Sequence, residues 1–388
     1  MLTLPASEGI LPFTEEHLAL REMIADFAAK EIAPHSREWD DKEVFPVPIF
    51  RRLGELGVMG ITIPQEFGGA EADYVSATIV LEELAKVDAG ISLSYGAHAL
   101  LCVNNLYLNA NDDQRRKYLP KLCSGEHLGA ICITEPGSGS DSVGMRTTAV
   151  RDGDHYVLNG TKMFITNASD ADVFVVYAKT DPSLGGKGIS QFIVEKGMPG
   201  FSVSRKLEKM GMKSSSTGEV VFEDVRVPVE NRMGEENSGA RAMMSHLDVE
   251  RVTLNGIPIG LSRVALERSL AYAKERKQFN QAIGEFQLIQ KFLAEARTDI
   301  EAMTLMTYNA AFKLDRGARA TMEASTAKLF AARAATRICM DAVQVHGGYG
   351  YMREYEVERF ARDAKLMQIG AGTDEVQIMI IARQLLKA

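Results

Sequence analysis

Apolar residues recur every three to four positions from residue 15 to about 125, as in Leu18, Met23, Ile24 and Phe27 and again in Leu81, Leu84 and Val87. This spacing sets one apolar face along a helix. Pro64 and Gly68-Gly69 carry turn chemistry between such segments, so residues 1–127 are expected to form an all-helical domain. From about residue 128 the period changes. Stretches 155–158, 173–178, 189–194 and 220–222 are short, rich in β-branched and aromatic residues, and bounded by Gly, Asp, Asn or Pro. They predict a small β domain over 128–238, with a tight hairpin at Asp152-Gly153-Asp154. Helical spacing returns over three or four long segments in 239–388, interrupted at Gly347-Gly348 and at 370–372. The expected architecture is mainly α with inserted β, and no internal repeat or low-complexity tract breaks the order.

Composition narrows the class. A chain of 388 residues suits two or three packed units, taking roughly 100–200 residues per domain. With 46% hydrophobic and 25% charged residues and 12 prolines, it has globular composition throughout. The formal charge of −8 is spread over interleaved acids and bases, without the basic face a nucleic acid would need. No apolar run approaches the roughly 20 residues of a membrane span. The N-terminal stretch MLTLPASEGILPFTEEH is acidic where a transit peptide is Arg-rich. A cytoplasmic bacterial protein is expected, or a processed chain of the mitochondrial matrix. Four widely spaced cysteines and seven histidines without ligand spacing point to no metal and no redox dithiol.

Two segments of the β block carry candidate chemistry. In Ile131-Cys132-Ile133-Thr134-Glu135-Pro136-Gly137-Ser138-Gly139-Ser140-Asp141, a strand enters a turn dense in glycine and serine, where backbone N–H groups and hydroxyls can approach a ligand closely. By itself this reads either as a cofactor cradle or as an ordinary β-turn loop. It is not a dinucleotide fingerprint, because the third glycine of G-x-G-x-x-G is missing and no βαβ unit follows. Lys162-Met163-Phe164-Ile165-Thr166-Asn167 lies one hairpin further on. In the C-terminal block, Glu275-Arg276-Lys277-Gln278-Phe279, with Phe286-Gln287 after it, reads alone as a solvated helix end. Gln344-Val345-His346-Gly347-Gly348 reads alone as a helix-ending turn.

Those four motifs, in that order, together with Ile369-Gly370-Ala371-Gly372-Thr373, resemble the acyl-CoA dehydrogenase family along the whole chain. The resemblance implies an N-terminal α-helical domain, a middle β-barrel-like domain and a C-terminal four-helix bundle. It also implies an FAD-dependent enzyme. Flavin contacts carried over are Ile131, Ile133, Thr134, Gly139, Ser140, Phe164 and Thr166. Arg276, Gln278, Phe279 and Gln287 would reach a neighbouring subunit's FAD, Gln344, Gly347 and Gly348 would pack on the adenosine side, and Thr373 and Glu375 complete the set. A planar Arg276 guanidinium suits a pyrophosphate. Phe164 stands where tryptophan is more usual, keeping a π-face without the indole N–H.

The departure at Ala371 narrows the reading further, because most of the family carries its catalytic glutamate there. Glu250, in Leu247-Asp248-Val249-Glu250-Arg251, matches the relocated base of the isovaleryl-CoA and long-chain branches. A glutamate beside an arginine on a helix is otherwise usually a surface residue. Pro258, eight residues later, predicts a kinked, buried helix. Glu250 would remove the α-proton of the thioester, the Ala371 N–H would hold the carbonyl oxygen, and FAD would accept the β-hydride, leaving a trans-2-enoyl-CoA. Burial beside the flavin would raise the Glu250 pKa. Substrate contacts are assigned to Ser140, Leu93, Tyr95, Arg251, Gly370 and Gly372. The small residues at 370 and 371, with Ser92-Leu93-Ser94-Tyr95, favour a short branched acyl group as in isovaleryl-CoA dehydrogenase. Long-chain, cyclic or terpenoid acyl-CoA remains the alternative, as does a flavin-binding relative with a lyase or non-catalytic role. The resemblance further implies electron-transferring flavoprotein as partner and a homotetramer.

Overall fold

Residues 11–387 are described by the computed structural model; the first ten residues, part of the segment read for targeting signals, lie outside them. Helix α1 (Glu15–Phe27) starts at Thr14, whose hydroxyl accepts the His17 N–H while the His17 ring returns a bond to the Thr14 N–H. The face it buries carries His17, Ile24 and Phe27, whereas Leu18 and Met23 are exposed. The reason is polar. His17 reaches Asp73 at 2.9 Å and Arg21 reaches Glu82 at 3.0 Å, which turns the helix away from the stripe its apolar residues alone predicted.

Helices α2 (Ala33–Lys42) and α3 (Val47–Glu55) lead to α4 (Tyr74–Ala85), in which every residue from Val75 to Ala85 is buried. A helix buried all round belongs in the middle of a bundle, and α4 packs against α1 and later helices of the C-terminal block. Next come α5 (Ala89–Gly96), α6 (Asn105–Asn109) and α7 (Asp112–Cys123).

The β block contains β1 (Gly129–Cys132), β2 (Thr148–Asp152), β3 (His155–Thr166), β4 (Val173–Lys179), β5 (Ile189–Glu195), β6 (Phe201–Lys206), β7 (Thr217–Pro228) and β8 (Arg232–Met233). The order is β6-β7-β3-β2-β4-β5-β8, with β1 parallel to β4. Asp152 pairs with His155 across a two-residue turn whose Gly153 has φ +61°, as the hairpin chemistry predicted. A single parallel pair, Thr148 with Lys179, joins the two halves of the sheet. Both halves face one interior, because Tyr156, Phe174, Phe192 and Phe222 share a cluster with Ala130 and Cys132. The result is barrel-like packing without hydrogen-bonded closure.

The C-terminal block is α8 (Gly239–Thr253), α9 (Gly256–Glu275), the short hairpin β9 (Lys277–Gln278) and β10 (Gln281–Ala282), then α10 (Gln287–Asp315), α11 (Thr321–His346), α12 (Val357–Leu366) and α13 (Asp374–Leu385). Pro258 does not kink a continuous helix. The break falls earlier, at Leu254-Asn255, and Pro258 sits in the first turn of α9, where its missing N–H has no helical partner to lose. Gly256 and Gly260 let α9 approach α4 backbone to backbone: a Cβ on either would lie 2.6 Å from Thr78 O or 2.4 Å from Glu82 O. Helices from both ends of the chain thus share one core. At its centre the fully buried Glu82 accepts from Arg21 and from the Tyr308 hydroxyl at 2.6 Å, and forms an ion pair with Arg263 at 2.8 Å. No helix among the described residues is long and apolar enough to cross a membrane, and no cluster of three metal-ligating side chains occurs among them.

Candidate active site

Glu250 lies in the last turn of α8, beside the break that separates it from α9. By accessible area it is only half-buried, yet its carboxyl is densely surrounded by protein, and desolvation pushes its pKa up to about 7 against the opposing charges of Arg251 and Lys328. The carboxylate makes no hydrogen bond and no ion pair within 4 Å among the described residues. A half-buried, unpaired carboxylate with a pKa near neutrality is poised to take a proton. Its further neighbour is the Tyr177 hydroxyl of β4, which donates to no carboxylate but receives bonds from Asn105 and Gln191 at 2.9 and 2.6 Å.

The loop at 369–373 closes over the same region. Ala371 and Gly372 have φ +54° and +87°, consecutive left-handed conformations that only a special contact retains at a non-glycine residue. That contact comes from the interior. Lys328 on α11, 2% exposed, donates to Gly372 O at 2.7 Å. Gln377 on α13, fully buried, donates to Gly372 O at 2.9 Å and to Ala371 O at 3.3 Å. Thr373 caps α13 by accepting the Val376 N–H. With the carbonyls held inward, the N–H groups of Ala371, Gly372 and Thr373 have no hydrogen-bond partner among the described residues. Three free donors at a helix N-terminus form a ready oxyanion site. Arg251 joins base and loop: it is 6% exposed, its Nε is unpartnered, and its guanidinium lies 3.8 Å from where a Cβ on Gly372 would stand.

In the β block, Ile131, Ile133, Thr134 and Thr166 are half-buried, Gly139 and Ser140 are exposed, and the Phe164 ring is 66% exposed at φ +61°. The two segments are joined, since Met163 N donates to Thr134 O at 2.8 Å. Beneath them Lys162, fully buried, donates to Ile133 O at 3.0 Å and to Glu135 at 2.9 Å, and Glu135 in turn accepts from the Arg146 and Thr147 N–H groups. This buried pair holds the turn rigid from below. Above it the Thr134 and Thr166 hydroxyls have no partner among the described residues, and a Cβ on Gly137 or Gly139 would meet open space. An open aromatic face, free hydroxyls and an uncluttered glycine turn fit a flavin ring.

The pyrophosphate and adenosine candidates gather elsewhere. Arg276, Gln278, Gly347 and Gly348 line one groove of about 480 Å³ with Tyr272, Ile283, His346, Tyr349 and Met352. Its floor is an aromatic stack, His346 over Tyr272 at 4.3 Å, and the Arg276 guanidinium sits over Tyr349 at 5.5 Å. Gln287, Gln344 and Phe279 are exposed nearby in the chain, and Glu375 is exposed on α13. No residue of the β block lines the groove, so one chain presents the flavin residues and the Arg276 group on separate surfaces.

Leu93 and Tyr95 part company. Leu93 is half-buried on α5, and Gly96, one turn on, packs against Leu254, the residue one turn beyond Glu250. Tyr95 is fully buried in the core with its hydroxyl given to Val58 O at 3.0 Å, so the structure offers it no surface for a substrate. Sequence reading missed Lys328, Gln377 and the Lys162–Glu135 pair. The available signal was a lone lysine inside the alanine-rich stretch Ala327-Lys328-Leu329-Phe330-Ala331-Ala332, since a cation on an apolar helix face requires a specific acceptor.

Comparison with known proteins bears on the family and the fold. Family models described as the N-terminal, middle and C-terminal domains of acyl-CoA dehydrogenase match residues 14–126, 130–225 and 237–386. The chain is 44% identical to the mitochondrial isovaleryl-CoA dehydrogenase of Pongo abelii over 98% of its own length and 91% of that protein. The structure of butyryl-CoA dehydrogenase from Megasphaera elsdenii superposes with a TM-score of 0.94 at 39% identity, covering 96% of this chain and 99% of that one. The FAD complex of PigA superposes with a TM-score of 0.94 at 32% identity, covering 97% and 99%.

Proposed function

Because this chain belongs to the acyl-CoA dehydrogenase family, FAD-binding oxidoreductases acting on acyl-CoA, we propose that Glu250 is its base and that its substrate is a short, branched acyl-CoA of the isovaleryl type. The observation that carries this reading is the pairing of an unpartnered carboxylate, raised to about 7, with the three free N–H groups of the 371–373 loop. FAD, bound against Ile131, Ile133, Thr134, Gly139, Ser140, Phe164 and Thr166, supplies the acceptor for the β-hydrogen and its electron pair. The chain does the rest. The Ala371 N–H donates to the thioester carbonyl oxygen, which makes the α-proton acidic enough for a carboxylate to remove. Glu250 takes that proton at its carboxylate oxygen. Arg251 lies against the loop, and its charge opposes the desolvation that raises the Glu250 pKa.

The acyl group is argued from space. Gly370 and Ala371 replace bulk beside the acyl chain, and a Cβ on Gly370 would meet only Leu366 O at 3.6 Å, leaving room for a branch at carbon 3. The separate Arg276 groove supports assembly as a homotetramer in which one subunit's Arg276, Gln278, Phe279 and Gln287 complete the FAD site of its neighbour. Electron-transferring flavoprotein is the proposed acceptor of the electrons.

Anaerobic bleaching of the flavin tests both assignments. Isovaleryl-CoA is expected to bleach faster than octanoyl-CoA or cyclohexanecarboxyl-CoA; a clear preference for octanoyl-CoA would reject the branched-substrate reading in favour of the long-chain alternative. Glu250→Gln should keep the yellow cofactor and slow bleaching by about 10²–10⁴-fold. Undiminished bleaching would remove Glu250 from the mechanism.

A further inference from the structure

Lys328 is a buried cation that neither the proton transfer nor the flavin cradle uses. Its ammonium donates to Gly372 O at 2.7 Å, and the charges it faces are Asp374 and Glu375 on α13, and Arg251 and Glu250 on α8. Asp374 is partly committed elsewhere, paired with Arg333 at 3.0 Å. Glu250 in turn faces Arg251 and Lys328, with the Tyr177 hydroxyl across from it on β4, and Asp248 lies 3.6 Å from Arg251. Lys328 is therefore bonded to the loop while acting on the carboxylate through space, since the two are not within 4 Å as an ion pair among the described residues. A direct salt bridge would hold Glu250 ionised and quench it as a base. A cation one step removed lowers the cost of ionisation and leaves the carboxylate free to collect a proton.

We propose that Lys328 is a positioning residue of this site: it holds the Gly372 carbonyl, so that the neighbouring N–H groups are left free, and its positive charge favours the ionised form of the relocated base Glu250. The inference rests on Glu250 being the base. Gln377 shares the first task without the second, because its neutral amide holds both Ala371 O and Gly372 O. Clamp and charge can therefore be separated by substitution. The arrangement also accounts for Lys328 being held below its ordinary pKa, at about 8, by burial: an ammonium in so dry a site needs the Gly372 carbonyl and the surrounding acids to remain charged.

The test is the pH dependence of anaerobic flavin bleaching in the holoenzyme with isovaleryl-CoA, or with whichever panel substrate bleaches fastest. Removing the charge raises the pKa of Glu250. In Lys328→Met the rising limb of the profile should therefore move to higher pH, and the rate on the acid side should fall about tenfold for each pH unit of displacement. Lys328→Gln, which retains a donor for Gly372 O, should show the same displacement and carries the test if the Met variant does not accumulate with flavin bound. Lys328→Arg should return the limb toward its original position. Gln377→Met should slow bleaching at every pH without moving the limb. If Lys328→Met and Lys328→Gln keep the original midpoint while Glu250→Gln abolishes bleaching, the charge role is overturned and the base assignment stands. If Glu250→Gln bleaches normally, the base assignment itself has failed.

Discussion

At the residue scale, the site turns on what surrounds a single carboxylate. Glu250 sits beside an arginine on a helix, an arrangement that on a surface yields a weak ion pair. Here desolvation outweighs both nearby cations, and the acid is raised to about 7. The sign for activity follows directly. The base must be ionised to accept the α-proton, so bleaching by substrate in the unmodified protein should rise through about pH 7 and level off above it; stopped-flow rates from pH 5.5 to 9 measure this. A profile flat down to pH 5.5 would mean that the carboxylate titrates like an exposed one. Glu250 itself was readable as a candidate because Ala371 leaves the usual position empty. Its environment was not, because Lys328 and Tyr177 arrive from elements 78 and 73 residues away in the chain.

At the element scale, the arrangement depends on how α8 and α9 meet α4. The break after α8 places Glu250 at a helix end, and Gly256 and Gly260 then press α9 onto the α4 backbone. The buried Glu82 on α4 ties α1, α9 and α10 together through Arg21, Arg263 and Tyr308. Its replacement by glutamine keeps the shape and removes the charge, leaving Arg263 without its counter-ion and Arg21 with Glu83 alone. Loss of one partner of a buried pair costs about 3–5 kcal/mol, so Glu82→Gln should lower the urea midpoint substantially, with little effect on the intrinsic bleaching rate of folded protein. Helical and β periods located the elements well, since each is a local property of side-chain order. The face of α1 was misplaced, because Leu18 and Met23 follow the apolar rule while His17 and Arg21 have distant partners that outweigh it.

At the scale of the whole molecule, the flavin turn of the β block and the Arg276 groove of the helical block lie on separate surfaces, and the proposed assembly joins them between subunits. Complementation measures this. Arg276→Ala, weakened in FAD retention, and Glu250→Gln, lacking the base, should each be nearly inactive. Mixed oligomers formed by co-expression should recover a fraction of activity, because a Glu250→Gln subunit can lend its Arg276 to a neighbour whose base is intact. Activity no greater than that of the separate variants would place Arg276 in its own subunit's site.

The order of helix, sheet and helix and the tight turn at Gly153 were determined by residue order, since periodicity and turn chemistry are local and survive without knowledge of what packs where. Tertiary structure alone decided that Tyr95 belongs to the core, that the chain breaks before Pro258, and that Lys328 and Gln377 hold the loop opposite Glu250. Those outcomes depend on desolvation and on partners brought together across long sequence separations, and a carboxylate's proton affinity is set by the neighbours that folding supplies.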